Sequence, residues 1–132
     1  MSHDVVIAIG SNIHPEQHVP RAVRLLEGIL EAPRAANVYK TPAIDRPEQP
    51  GYWNTAVRGR TILGPRTLKA ALRRIEADLG RVRTWDRYAP RTIDLDEIWR
   101  DGRVTDQDVE KREFLQQCLH DLDVTTLPTI HL

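Results

Sequence analysis

RTIDLDEIW, residues 91–99, alternates apolar and polar side chains and thereby sets the class of structure. Period two on an extended chain sends Ile93, Leu95, Glu97 and Trp99 to one face and Thr92, Asp94, Asp96 and Ile98 to the other. Asp101-Gly102 follows as a two-residue hairpin turn, so Arg103 to Thr105 are expected to fold back as a short edge strand. Toward the N-terminus the spacing changes to a helical one: Leu68, Ala71, Leu72, Ile75 and Leu79 share one helical face over 66–79, with Gly80 as the C-terminal cap. Residues 52–62, YWNTAVRGRTI, read as a strand, and Gly64-Pro65 marks the break before the helix. Residues 42–51, PAIDRPEQPG, carry three prolines and a glycine and form an irregular loop, a length often tied to function. Residues 35–41 look extended. Val19, Val23, Leu26 and Leu30 recur at helical spacing up to Pro33, and Val5 to Ile9 form a buried strand stopped by Gly10, Ser11 and Asn12. Beyond the hairpin, Val109, Phe114, Leu115, Cys118, Leu119 and Leu122 predict a final helix over 109–122. The order β-α-β-β-α-β predicts a ferredoxin-like α+β sandwich with an antiparallel sheet, extended by a C-terminal hairpin strand and helix.

The composition agrees with one soluble domain: 132 residues, 40% apolar and 29% charged. One cysteine, Cys118, makes neither an internal disulfide nor a cysteine zinc site. No apolar run reaches the length of a membrane span, and the opening MSHDVVIAIGS lacks a signal-type segment, so a cytoplasmic location is expected. Nineteen basic residues balance nineteen acidic ones, which argues against a general nucleic-acid or membrane-surface binder. The balance is uneven along the chain: residues 1–93 carry 15 Lys and Arg against 9 Asp and Glu, and residues 94–132 carry 4 against 10. RVRTWDRYAPR, 81–91, holds four arginines just before Asp94 and Asp96.

Asp94 and Asp96 are the sharpest chemical feature. Two carboxylates on one strand face can hold divalent cations jointly with substrate phosphates, because hard oxygen ligands suit Mg²⁺ and leave positions open. An isolated D-x-D is more often a solvated polar face. Arg81, Arg83 and Arg91 beside it shift the reading, since guanidinium forks match phosphate oxygens. No P-loop, dinucleotide-binding glycine motif, nucleophile elbow or histidine metal pattern occurs. Ser11 is explained by a strand-ending turn. Tyr52 and Asn54 share a strand face and can hold a flat heterocycle, or equally serve as edge packing and a turn cap.

Taken in order, AIGSN at 8–12, YKTP at 39–42, QPGYWNTAV at 49–57, RIE at 74–76 and RVRTWDRYAPRTIDLD at 81–96 resemble the 6-hydroxymethyl-7,8-dihydropterin pyrophosphokinase family. The resemblance implies transfer of a diphosphate from ATP to the pterin hydroxymethyl group, giving AMP and the pterin diphosphate. It implies that Asp94 and Asp96 are ligands of two Mg²⁺, and that Arg81, Arg83 and Arg91 are phosphate-side arginines. Tyr88 would be an aromatic closing over the site. Tyr52 and Phe114 would sandwich the pterin, with Asn54, Thr41 and the backbone near Ala43 and Ile44 on its hydrogen-bonding edge. Glu76 falls near the nucleotide, as does Arg112. The small-molecule partners are ATP and a dihydropterin; a monomer is expected, with a dimer as the alternative.

Departures from the family pattern cluster on the nucleotide side. The chain is several residues shorter between Val104 and Phe114 and lacks the Pro-His-Tyr segment there; Arg112 keeps its spacing to Phe114. Arg73 stands where glutamine is common, and Glu97 stands where an apolar residue usually packs, which is costly if buried unpaired. A minimal enzyme holding ATP mainly by its metal-bound triphosphate, with weak adenine selectivity, is the reading that follows. The alternative is a catalytically degenerate pterin- or nucleotide-binding paralogue; an RNA-binding module is the weaker third.

Overall fold

A computed structural model describes residues 1–42, 48, 51–81 and 92–124. The elements run β1 (His3–Ser11), α1 (Pro15–Ile29), β2 (Glu31–Ala35), β3 (Tyr39–Thr41), β4 (Tyr52–Thr61), α2 (Pro65–Asp78), β5 (Asp94–Arg100), β6 (Arg103–Val104), α3 (Asp108–Lys111) and α4 (Glu113–Asp121). The strands form one antiparallel sheet in the order β2-β4-β1-β5-β6, with β3 also paired to β4. The helix-separated units interleave, as the ferredoxin-like α+β expectation requires.

The central strand explains its own sequence. Val5, Ile7 and Ile9 point to a core shared with Val19, Ala22 and Leu26 of α1 and Leu68, Leu72 and Ile75 of α2. Val6 points to the other face, where Ile98, Trp99, Leu115, Cys118 and Leu122 gather under α4. A strand covered on both sides is apolar throughout rather than alternating. The second layer is fastened from the sheet: Arg58 on β4 donates to Asp4 at 2.8 Å and, through Nη1, to the Leu122 carbonyl at 2.8 Å. An orphan carbonyl at the end of α4 is thereby satisfied.

Three boundaries differ from the sequence reading. α1 begins at Pro15, in the first helical turn where proline loses no hydrogen bond, and stops before Glu31, so that Pro33 lies within β2. The 35–41 segment is split between β2 and β3. The predicted 109–122 helix breaks at Arg112, whose extended backbone (φ −119°, ψ 109°) separates α3 from α4.

The alternation over β5 also breaks. Val6 pairs with Trp99 and Ile7 with Glu97, so Ile98 is an extra residue and a β-bulge sits beside it. Beyond the bulge the faces exchange: Trp99 joins Ile98 in the α4 core instead of sharing the Leu95 face. The same shift sets Arg100 beside Glu97, with Nε and Nη2 at 2.8 and 2.6 Å from Glu97 Oε1 and Nη1 at 3.0 Å from the Leu63 carbonyl. Glu97 is therefore buried with a partner. The predicted hairpin forms at Asp101-Gly102, both with positive φ (49° and 94°), the signature of a type I′ turn.

Candidate active site

The end of the sheet beyond the α4 core carries the site. On one rung Asn54 of β4, Gly10 of β1 and Asp94 of β5 lie side by side; on the next, Ala56, Ala8 and Asp96 do. Directly opposed residues share a face, so Asn54, Asp94 and Asp96 project together over a floor of glycine and alanine. Two strand spacings separate Asn54 from Asp94, about 10 Å. The floor has little slack, because a Cβ on Gly10 would stand 3.3 Å from Asn54 Oδ1 and 3.9 Å from Tyr52.

At the β4 side, Thr41 pairs opposite Tyr52 and Tyr39 opposite Asn54. The Asn54 amide donates to Thr41 Oγ1 at 2.9 Å and to the Tyr39 carbonyl at 3.3 Å, which orients a side chain that is only 6% exposed. Gly51 lets β3 close on β4, since a Cβ there would lie 2.6 Å from the Thr41 carbonyl. Tyr39 donates to Asp121 at 2.6 Å, and that bond to a carboxylate raises its phenol pKa. β3 is thus tied to α4, which presents Phe114 against the same core cluster. Tyr52, Asn54, Thr41 and Phe114 fall on one face of the sheet, as the sequence reading requires.

At the β5 side no strand among the described residues pairs along 93–96, and side chains of α2, with Arg81 just beyond it, cover that edge. Glu76, 1% exposed, accepts the Leu95 amide at 2.7 Å. Arg73 donates to the Leu95 carbonyl at 2.8 Å and Arg81 to the Ile93 carbonyl at 3.2 Å. Edge groups that would pair with another strand are so occupied. Both arginines also touch Glu76, at 2.9 and 3.1 Å, and then reach around the edge: Arg81 to Asp94 at 2.7 Å, Arg73 to Asp96 at 3.1 Å. Glu76, expected near the nucleotide, is a buried hub behind the aspartates.

The Asp96 carboxyl is pushed up to about 6, first by burial and then by the neighbouring Asp94 charge, against the pull of Arg73. A carboxyl pushed up by burial and by a neighbouring negative charge, despite an arginine beside it, is a place where added positive charge is favourable. Among the described residues no cluster of three His, Cys, Asp or Glu side chains surrounds a cation position. Two carboxylates on one face fit a hard cation completed by water and phosphate oxygens rather than by a protein cage.

Arg112 stands at the α3–α4 junction, where its carbonyl accepts the Leu115 amide at 3.1 Å. Ala43, Ile44, Arg83, Tyr88 and Arg91 lie outside the described residues. Ser11 is fully buried; its hydroxyl lies 3.2 Å from the Ile13 carbonyl, the local contact of a strand-end turn, and also donates to the Thr92 carbonyl. Sequence reasoning noted Arg73 as a departure and quoted Gly10 and Tyr39 within matching stretches, but gave none of the three its role in the site. The three-residue spacing of Arg73 and Glu76 on one helix was the available signal for the first.

Residues 6–124 match the family model described as 7,8-dihydro-6-hydroxymethylpterin-pyrophosphokinase. The chain belongs to this family. Curated relatives of the pyrophosphokinase family include the mitochondrial "Folate synthesis bifunctional protein" of Pisum sativum, 44% identical over 95 residues, 70% of this chain and 18% of the relative. The "2-amino-4-hydroxy-6-hydroxymethyldihydropteridine pyrophosphokinase" of Synechocystis is 36% identical over 109 residues, covering 80% of this chain and 54% of that protein. The Pseudomonas putida protein of the same name is 38% identical over 104 residues, 76% of this chain and 85% of its own length. Against the Pisum sativum bifunctional protein, then, this pyrophosphokinase-family chain spans less than a fifth of the length.

Proposed function

We propose that residues 1–132 act as one Mg²⁺-dependent pyrophosphokinase domain that moves the diphosphate of ATP onto the hydroxymethyl group of 6-hydroxymethyl-7,8-dihydropterin. The observation that carries the proposal is the single sheet face holding Asn54, Thr41 and Tyr52 at one end and Asp94 with Asp96 at the other. A bicyclic ring and a triphosphate laid along that face bring a hydroxymethyl oxygen to the β-phosphorus. Tyr52 and Phe114 stack the ring, and Asn54 and Thr41 read its edge, with the Ala43–Ile44 backbone assigned the same task by the family resemblance. Asp94 and Asp96 hold the cations, and bound Mg²⁺ neutralises charge on the transferring phosphates. Arg81 orients Asp94, while Arg83, Tyr88, Arg91 and Arg112 are assigned to the nucleotide side. Positioning and electrostatics supply the acceleration, as in phosphoryl transfer generally.

No helix among the described residues is long and apolar enough to cross a membrane. The proposal includes a cytoplasmic location, to be checked by cell fractionation, and a monomer, to be checked by sedimentation. The test of function is incubation with ATP, Mg²⁺ and the dihydropterin, followed by chromatography. AMP and pterin diphosphate in equal amounts support the proposal. ADP in place of AMP overturns it in favour of single-phosphoryl transfer, and no product from folded protein overturns it in favour of the binding paralogue.

A further inference from the structure

Arg73 and Arg81 hold the two aspartates in different ways. Arg81 is 10% exposed and places one nitrogen, Nη1, on Asp94, Glu76 and the Ile93 carbonyl together, so it cannot leave the aspartate without leaving the strand edge. Arg73 divides its fork. Nη1 makes the edge contacts to Glu76 and the Leu95 carbonyl, and Nη2 makes the contact to Asp96. Its side chain is 29% exposed and that of Asp96 38%, the more open of the two pairs. A small rotation about the anchored Nη1 therefore frees Asp96 and leaves the edge covered. The guanidinium so released stands beside the aspartate face with a fork that matches phosphate oxygens.

We propose that Arg73 is an internal cation that occupies Asp96 in the substrate-free protein and transfers to phosphate when nucleotide binds. Free divalent cation then binds the two aspartates weakly, and they receive it together with the triphosphate. The inference rests on the reading of Asp94 and Asp96 as the cation site, and it concerns a side chain that this protein carries where glutamine is common.

The experiment is titration of free Mn²⁺ by electron paramagnetic resonance against nucleotide-free protein, with melting curves confirming the fold of each variant. Removing a positive charge 3.1 Å from Asp96 should tighten Mn²⁺ binding in Arg73→Gln at least about tenfold. Arg73→Lys keeps the charge and should stay within about threefold of the parent. Adding Asp96→Asn to Arg73→Gln should abolish the gain. Equal affinity in parent and Arg73→Gln, or an equal gain in Arg73→Lys, overturns the proposal. The cation-site reading is judged separately, with a non-hydrolysable ATP analogue present: Mn²⁺ bound by the parent and lost in Asp96→Asn sustains it, and Mn²⁺ retained by Asp96→Asn overturns both.

Discussion

β5 carries two carboxylate–arginine sets on opposite faces, and they behave differently. Glu97 and Arg100 meet at 2.6 Å with 14% and 11% of their side chains exposed, and Arg100 finishes on a backbone carbonyl. This pair is closed. Asp94 and Asp96 on the other face also have arginines, yet Asp96 remains pushed up to about 6 and its side chain is 38% exposed. On the proposed function, the closed pair is a structural charge and the more exposed, unbalanced aspartates are the functional ones. The bulge beside Ile98 makes the contrast, because it sets Arg100 on the Glu97 side without disturbing the aspartates.

The contrast breaks most visibly if the two faces are swapped in effect. Asp94→Ala should lower turnover about a thousandfold, roughly 4 kcal/mol of lost charge stabilisation, with the fold intact by circular dichroism. Glu97→Ala should instead cost about 3 kcal/mol of stability by denaturant unfolding, because Arg100 is left buried without its partner. Replacing both residues by leucine should recover most of that loss. A smaller effect sharpens the distinction through pH. The native Asp96 carboxyl holds its proton more tightly than the unfolded chain does, so stability from this group is full below 3.8 and is lost as pH rises through about 6. Asp96→Asn should therefore raise the Tm at pH 8 by about 3 °C and leave it unchanged at about pH 4. Smallest is the nucleotide effect: with the segment before Phe114 shortened, preference for ATP over GTP and CTP should stay below about tenfold, or about 1.4 kcal/mol, in competition assays.

Much of this was readable from the chain. Residues whose environment is set by local period, such as Leu95, Asp94 and Asp96, landed on the expected faces. So did Tyr52 and Asn54, flanking Trp53 on β4. Trp99 did not, because a bulge is specified by how β5 meets β1, and no period within RTIDLDEIW reports it. The break at Arg112 was hidden for a related reason: Val109 and Leu115 are both buried under one core cluster, so apolar spacing reads through the interruption. Arg73 and Glu76 have the spacing of a solvated helical pair, and it is the Leu95 carbonyl and amide of β5 that give them their role.

The most direct measurement compares two isosteric substitutions on adjacent residues, Asp96→Asn and Glu97→Gln, in the assay for AMP and pterin diphosphate. Each removes one negative charge from β5, on opposite faces. A loss of at least about a hundredfold in Asp96→Asn, with Glu97→Gln within about twofold of the parent, is the result the proposed function predicts. Full turnover in Asp96→Asn, or an equal loss in both variants, would contradict the placement of the reaction on the aspartate face.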